Sequence, residues 1–464
     1  MASRPSSRSE RAPLLRGWAL WPQVLVRGAG FSFAWLDEVV TREGTAALRE
    51  VAKDLRFREA VTWQNRAAVS DGLDSLLRKS DGASDARTRK KELLVVRYLQ
   101  RYCAKNDTIG FFGPVGWARW GDGGSTPSPR VVEARAVFPE PWMARELADA
   151  ALATPAGQAL GWVRVPGHVR IEGRVAISPT QRVALEADEA RLLLEFQRSG
   201  PRRWKELRGS RLALARRLVE LGLLRLSIPV GIGPRPLAAL GKRGAAMARQ
   251  VRALAEPGLA GKLEALERDF TAATAHAPAR HAGQAYGGRG LVYEECRRAV
   301  SLELSEAMRA QVAAPLRLVL ELARWFTFRV ARTLEQLLRG QRGGVPLPVF
   351  WQATAPLFAG QSPPVLRGAR RALREVCARL WASGPACAVE DAQRLVARLR
   401  APHPGWPGAR HHAPDLLWAA PSAEAMLAGA GPPVLGELHP GVTPFSTLSV
   451  LALAPDRRAL ERQW

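Results

Sequence analysis

The sequence is poor in cysteine and in long apolar runs, and each shortage excludes a class of protein. Its 464 residues include only Cys103, Cys296, Cys377 and Cys387, with no CxxC pair. That spacing excludes a zinc ribbon and a disulfide framework, and it suits a reducing cytoplasm. The N-terminal run GWALWPQVLV is apolar for about ten residues and contains a proline. Because it is too short for a signal peptide or a membrane span, we expect a cytoplasmic protein with no membrane span.

Several catalytic and cofactor motifs are missing too. The nearest approach to a Walker A loop is GPRPLAALGKR, in which Arg243 replaces the Ser or Thr that would bind magnesium. No GxSxG elbow occurs. His411 and His412 are adjacent and His439 lies in GELHPG, but no HxxxH or HExxH spacing exists. We therefore expect no metal site, no use of ATP and no bound cofactor.

Positive charge, by contrast, is abundant. Lys and Arg number 68 against 43 Asp and Glu, which gives a net charge of +25 and a pI near 11.2. Many distributed cations raise the local potential and release counterions when they meet phosphates, so the charge favours a polyanionic partner. Most of the excess is arginine, and the frequent Ala, Gly, Pro and Arg also fit GC-rich coding. Charge alone leaves both explanations open.

Hydrophobic periodicity divides the chain into parts of different character. With 47% hydrophobic residues, the chain is long enough for two to four domains. We predict the α+β class, with several subdomains that are mainly helical and carry β-hairpins. The parts are a loose leader (1–30), an α/β part with an arginine-bearing helix and a glycine loop (31–159), a winged-helix unit (160–230), a helical part (231–400) and the start of a further β-containing part that is cut short (401–464).

The winged-helix prediction rests on a hairpin followed by helices. Apolar and polar residues alternate in WVRVPGHVRIEGRVAIS, with EG as the turn. Three helices are predicted in EADEARLLLEFQRSG, PRRWKELRG and SRLALARRLVELGLL, the third with Ser210 as its N-cap, before an extended RLSIPV. The third helix carries Arg211, Arg216 and Arg217, as a nucleic-acid recognition helix would. Its inward apolar face explains the same pattern without any role for the arginines.

The segment RYLQRYCAKNDTIGFFGPVGW joins a basic helix face to a glycine-rich loop. Arg97 and Arg101 are four residues apart, so on a helix they project from one face about 6 Å apart, with Lys105 one turn further. Like charges so placed repel each other unless an anion lies between them, and the guanidinium fork suits phosphate or carboxylate. The loop adds Thr108 and glycines that allow a ligand close to the main chain. A solvated helix face leading into a turn is the alternative.

This segment resembles the block at the start of the lantibiotic dehydratase N-terminal domain, where an arginine-bearing helix runs into a Thr-rich and Gly-rich loop. Three later segments are similar to later blocks of that family and occur in the same order: GGRGLVYEECRR, HHAPDLLWAA and LGELHPG. A further similar block, FREAVTWQNR, precedes the arginine helix. In that family, including the peptide aminoacyl-tRNA ligase branch, the domain transfers glutamate or another amino acid from aminoacyl-tRNA to a precursor peptide. The chain departs from the family in having TIGFFG for the commoner TPFG, and in stopping soon after LGELHPG.

The resemblance implies roles for particular residues. Arg97 and Arg101 match the family's paired arginines and Thr108 its loop threonine, which makes them the expected catalytic residues; Arg97, Arg101 and Lys105 would bind tRNA. The winged-helix unit would be a recognition element that takes the precursor peptide as an added strand, through Val169, Ile171, Val175 and Arg216. Aminoacyl-tRNA, glutamyl-tRNA first, would be the co-substrate, and a separate elimination or completing subunit a partner. The alternatives are a non-catalytic leader-peptide-binding module and a winged-helix nucleic-acid-binding protein.

Overall fold

A computed structural model describes residues 12–463 except 16, 43–44, 80–84, 107–108, 123, 127–129, 232–234, 281–289, 339–346, 361–362, 383, 385–388, 400 and 442–450. The strands are β1 (Ala12–Leu15), β2 (Trp18–Leu20), β3 (Gln23–Arg27), β4 (Val115–Trp120), β5 (Gly124–Thr126), β6 (Val132–Pro139), β7 (Trp162–Arg164), β8 (Arg170–Glu172), β9 (Val175–Ile177), β10 (Arg182–Ala184), β11 (Arg202–Arg203), β12 (Arg225–Ser227), β13 (Val292–Arg298), β14 (Ser301–Leu304), β15 (His412–Trp418) and β16 (Pro433–Pro440).

Helices make up most of the remaining structure. They are α1 (Phe33–Thr41), α2 (Thr45–Lys53), α3 (Leu55–Ala68), α4 (Ser75–Leu77), α5 (Ala86–Ala104), α6 (Pro141–Leu152), α7 (Pro155–Gln158), α8 (Ala187–Ser199), α9 (Gly209–Glu220), α10 (Gly241–Ala253), α11 (Leu259–Thr274), α12 (Glu306–Leu338), α13 (Leu347–Phe358), α14 (Pro364–Ala382), α15 (Val389–Val396), α16 (Ala423–Leu427) and α17 (Arg457–Gln463). Together with several small sheets, they make this an α+β fold, as the sequence predicted.

The largest sheet draws its strands from distant parts of the chain. Its order is β5-β14-β4-β13-β6, and β3 pairs with β4 in addition. Strand β13 runs antiparallel to β6 and parallel to β4, so it lies between these two strands and not at an edge of the sheet. The N-terminal strand β3 is antiparallel to β4, with Leu25 opposite Trp117. This sheet therefore positions the loop between α5 and β4 against strands that come nearly two hundred residues later.

The structure adds strands to two of the predicted parts. The leader of residues 1–30 is not loose from residue 12 onwards, because it contains β1, β2 and β3. The region 231–400, predicted as a helical part, also contains β13 and β14, and LVYEEC contributes to β13. Strands as short as β3 give little periodicity. In β13, Glu294 and Glu295 are buried, at 4% and 5% exposure. Because these residues are polar, the sequence of this buried strand lacks the apolar pattern by which it could be recognised.

The longer helices agree with the sequence. Helix α11 spans LAGKLEALERDFTAAT within the part predicted to be helical, and its buried Leu263, Leu266 and Phe270 recur at helical spacing. Helices α12 and α14 also lie within the part predicted to be helical, residues 231–400. Within the described part of the chain, no helix combines the length and the hydrophobicity needed to cross a membrane.

Residues 160–230 have a hydrophobic core of their own. It includes Val163, Leu193, Phe196 and Leu218, and every buried member of this cluster comes from that range. Strands β8, β9 and β10 form one small sheet, and β11, β7 and β12 form another. The predicted second helix is instead a short strand followed by a 3-10 turn at Trp204–Glu206. Helix α9 begins at Gly209 without a side-chain cap, so Ser210 is not its N-cap. The winged helix and the five-part division stay predictions.

Candidate functional site

The predicted arginines lie on the C-terminal half of α5. The helix begins after Asp85, whose carboxylate accepts from the Thr88 N–H, and ends where the Lys105 N–H donates to the Arg101 carbonyl at 3.2 Å. Arg97 is exposed and Arg101 is half-buried, one turn apart on the helix. A cation in the last turn is also favoured by the helix dipole. Lys105 is exposed at the cap, and Thr108 lies outside the described residues.

The other face of α5 is fixed in the core by aromatic packing. Tyr102 is fully buried, its hydroxyl donates to Gln64 Oε1 at 2.8 Å, and its ring centroid lies 4.6 Å from that of Phe112. Burial raises the pKa of Tyr102 well above its ordinary value, so the phenol stays protonated and can donate. Because Leu99 and Val95 are also fully buried, the helix cannot rotate without exposing apolar surface. This anchoring holds Arg97, which is exposed, and Arg101, which is half-buried with a buried Nη2, on the opposite side of the helix.

The loop after α5 is held by a buried carboxylate. The Phe111 N–H donates to Glu294 Oε2 at 3.0 Å, and Arg135 Nε donates to Glu294 Oε1 at 2.7 Å. A second nitrogen of Arg135 donates to Glu59 at 2.6 Å. Burial raises the pKa of Glu294, while the Arg135 charge and the Phe111 N–H act against that rise. A buried charge is tolerated only when it is paired and hydrogen-bonded in this way.

The N-terminal segment contacts the same loop from its other side. The Gly30 N–H donates to the Phe112 carbonyl at 2.9 Å, and a Cβ on Gly30 would overlap the Phe111 carbonyl oxygen. Arg298 of β13 donates to the carbonyls of Gly28 and Ala29 at 2.8 Å and 2.6 Å. The loop backbone is therefore fixed between the sheet and the N-terminal segment, which is the preorganisation that a binding loop needs.

Sequence reasoning missed the residues that hold the loop. Glu59, Arg135 and Glu294 are separated by up to 235 positions, so no spacing rule brings them together. The block containing Glu294 was noticed in GGRGLVYEECRR, but not the buried strand within it. Two guanidinium groups also face the Phe111 ring, those of Arg135 at 5.0 Å and Arg56 at 5.9 Å from its centroid. Such cation–π contacts favour a positive environment around the loop.

A cleft lies beside the Tyr102 contact. It has a volume of about 260 Å³ and is lined in part by Gln64, Asn65, Arg66 and Glu267. Asn65 has a non-helical backbone (φ −163°, ψ 89°) that kinks α3. Arg66 pairs with Glu267 at 2.5 Å across the opening. The kinked segment belongs to the stretch FREAVTWQNR.

The four residues predicted to bind peptide do not share one environment. Val169 is 2% exposed and belongs to the core, so its side chain cannot contact a peptide. Ile171 in β8 and Val175 in β9 are half-buried, and Arg216 on α9 is exposed. Among the described strands, β8 and β10 are the edges of their sheet. Val169 lies just before β8, and alternation in so short a segment cannot tell a residue that enters the core from one at an exposed edge.

Strands β15 and β16 bring together three potential ligand side chains, one from β15 and two from β16. Single ligand atoms of Asp415, Glu437 and His439 all lie within 4.8 Å of one another, a set that metal ions can use. Asp415 is already paired with Arg27, whose charge opposes a cation there. The absence of a metal stays a prediction. Beneath these strands, a cavity of about 240 Å³ is lined by residues that include Trp18, Leu316 and His412.

Comparison with known proteins relates the segment that contains the arginine helix to one family model. Residues 53–201 match the model described as lantibiotic dehydratase, N terminus. This segment is therefore similar to the N-terminal part of lantibiotic dehydratases. It holds α5, the glycine loop, Glu59 and Arg135, whereas Glu294 lies beyond it. No curated protein matches the chain.

Solved structures resemble the chain over most of its length. The glutamylation domain TbtB from thiomuracin biosynthesis has a TM-score of 0.59 at 19% identity, over 88% of this chain and 55% of its own. The same domain bound to 5′-phosphodesmethylglutamycin has a TM-score of 0.54 at 18% identity, over 81% and 53%. The tRNA-dependent lantibiotic dehydratase MibB from Microbispora sp. 107891 has a TM-score of 0.55 at 16% identity, over 93% and 46%. The chain thus shares the fold and spans about half the length of these proteins.

A substitution at Gly110 tests how closely the loop after α5 packs against Glu294. Its φ is +50°, and a Cβ would lie 2.7 Å from the Glu294 carboxylate. We expect Gly110→Ala to lower the free energy of unfolding by about 1–2 kcal/mol for the left-handed backbone, plus about 1–3 kcal/mol for crowding the buried carboxylate. Gly173 is the matched control, because its φ is +62° with nothing within 4 Å. Equal losses for Gly110→Ala and Gly173→Ala in denaturant titrations would contradict the tight contact with Glu294.

His412 predicts a pH dependence of stability. Burial, with the nearby charges of His411 and Arg324, lowers its pKa from 6.5 to about 4. Above pH 6.5 the imidazole is neutral in both states; as pH falls from 6.5 to 4, only the unfolded chain takes up the proton, so stability is lost. We expect His412→Phe to reduce the fall in Tm between about pH 7 and about pH 5. The exposed His168→Phe should leave that fall unchanged, and identical pH curves for both variants would refute the assignment.

Proposed function

We propose that this chain transfers an aminoacyl group, glutamate first, from aminoacyl-tRNA to a Ser or Thr hydroxyl of a ribosomally made precursor peptide. One observation carries the proposal: within the family segment, the arginine face of α5 leads directly into a loop whose backbone is fixed by buried Glu294. The names of the structural neighbours support it, since one is a glutamylation domain and another a tRNA-dependent dehydratase. Because the chain covers only about half of those proteins, the whole activity belongs to the proposal.

The proposed reaction is an ester exchange. The peptide hydroxyl attacks the acyl carbonyl, the ester bond to the tRNA ribose breaks, and the hydroxyl proton passes to the departing ribose oxygen. Negative charge develops on the carbonyl oxygen, and guanidinium donors lower the energy of that state. We assign this role to Arg97 and Arg101, with Thr108 in the following loop and Lys105 on a tRNA phosphate. Because the amino acid arrives already activated as an ester, the reaction requires neither ATP nor a bound cofactor.

We propose that the precursor peptide binds to the unit of residues 160–230. Support comes from its separate core and from β8, an edge strand among the described residues, to which an extended peptide can add. Ile171, Val175 and Arg216 remain the proposed contacts. A separate elimination or completing subunit and a cytoplasmic location are further parts of the proposal. The non-catalytic leader-binding module is the alternative that an activity assay must exclude.

Substitution of Arg101 tests the proposed catalytic role most directly. It lies one turn after Arg97 and at the end of α5 nearest the glycine loop. We expect Arg101→Ala to lower the rate of aminoacyl transfer by on the order of a hundredfold or more, because one oxyanion donor is lost. Arg101→Lys keeps the charge but not the guanidinium fork, so a smaller loss is expected. Glutamate incorporation measured by mass spectrometry, with any completing subunit present, gives the result.

Lys90 offers a control on the same helix. It is exposed two turns before Arg97, so Lys90→Ala removes one positive charge from α5 without touching the proposed oxyanion site. Thermal melts of each variant verify that the fold is intact. If Arg101→Ala transfers glutamate as fast as Lys90→Ala does, Arg97 and Arg101 belong to a solvated helix face. If the wild-type chain binds the peptide but transfers nothing, the non-catalytic module is the better description.

The proposed peptide-binding unit can be deleted without a long linker, because its two ends lie close together. Trp162 of β7 is paired with Ser227 of β12, so paired strands bring the two ends of the unit to about 5 Å apart. We expect deletion of residues 162–227, with Gly161 joined to Ile228, to abolish precursor-peptide binding and to spare tRNA binding. Titration of a labelled peptide and of tRNA against both proteins measures this. Loss of both activities in a deletion variant that still melts cooperatively would contradict the assignment of separate sites.

A further inference from the structure

Helix α14 carries an exposed stripe of arginines that the proposed catalytic site does not use. Arg367, Arg371 and Arg374 are all exposed, and their spacing of four and three residues places them on one face. Trp381, 87% exposed, continues the same face seven residues after Arg374. At 1.5 Å per residue the stripe from Arg367 to Trp381 is about 21 Å long. It lies outside the family segment of residues 53–201.

The arginines of the stripe are not neutralised within the described part of the chain. No ion pair or hydrogen bond is made there by Arg367, Arg371 or Arg374. The helix has five arginines and a single acidic residue, Glu375. Positive charges three and four residues apart repel one another, which disfavours the helix in isolation. An external anion that lies along the stripe would relieve this repulsion.

The opposite face of α14 is already covered. Val365, Ala369 and Val376 are buried, and α14 packs against α12, α13 and α15. An amphipathic helix that lies on a membrane needs a free apolar face to enter the lipid, and α14 has none to offer. The exposed face instead combines guanidinium groups with an indole. Cations that follow a phosphate backbone, with an aromatic ring on which a base stacks, are the features of RNA-binding surfaces.

We infer that the exposed face of α14, formed by Arg367, Arg371, Arg374 and Trp381, binds RNA: the arginines contact phosphates and Trp381 stacks on an unpaired base. The inference rests on the proposed function in one respect, namely that the RNA is the tRNA co-substrate. It adds to that function a second tRNA contact, separate from Arg97 and Arg101 on α5. Such a surface holds the body of the nucleic acid, whereas α5 acts on its acylated end.

The test uses the full chain and unfractionated, uncharged tRNA in a salt series from about 50 to about 200 mM. The triple variant R367A/R371A/R374A should bind at least about tenfold more weakly, and its plot of log affinity against log salt should be less steep by about two units, since each lost phosphate contact removes about 0.7–0.9. Trp381→Ala should weaken binding with little change of slope, because stacking releases no counterion. Thermal melts verify that each variant is folded.

Helix α10 provides a control that loses the same charge. Lys242, Arg249 and Arg252 are exposed there, and K242A/R249A/R252A also removes three cations from one helix. If this variant loses as much affinity and slope as the α14 variant, only the net charge matters and the inference is overturned. It is also overturned if the α14 variant binds tRNA normally but no longer binds phosphatidylserine vesicles. Binding through α14 in a chain that transfers no amino acid would refute the proposed function and leave the RNA surface standing.

Discussion

The ion pair between Glu294 and Arg135 is the interaction on which the geometry of the candidate site depends. Glu294 is nearly inaccessible to solvent and lies in the central strand of the main sheet, where it meets both the Arg135 guanidinium and the Phe111 N–H. Without the arginine, a buried carboxylate would lack its counterion, a loss that typically costs about 3–5 kcal/mol. The glycine loop therefore takes its position from β6 and β13, and the end of α5 is placed relative to a rigid support.

Arginine has two different uses in this chain. Arg135 and Arg298 are half-buried, and their donors hold Glu294, Glu59 and the carbonyls that precede Phe31. Arg97 on α5 and the three arginines of the α14 stripe are exposed to solvent instead. Coding bias can raise the number of arginines, but it does not by itself arrange them along one face of a helix with few acids nearby. Arrangement, more than net charge, supports a polyanionic partner.

The accuracy of the sequence predictions followed the length of each pattern. Helices α11, α12 and α14 repeat their apolar spacing over several turns, so they were located correctly. Strand β3 has five residues, and β13 carries two buried glutamates among its apolar residues, so both were missed. Alternation around the EG turn located the hairpin of β8 and β9, but it could not show that Val169 belongs to the core.

From the sequence alone came the α+β class, the long helices, the basic helix face with Arg97 and Arg101, and the family resemblance, because each depends on residues that are close together along the chain. Only the tertiary structure decided which partners hold the loop after α5. Phe111 and Glu294 are 183 positions apart, and Arg135 and Glu59 are 76 apart. Contacts over such separations produce no repeating pattern in the sequence. They depend on how the strands pair and on the need to neutralise a charge that is buried in the sheet.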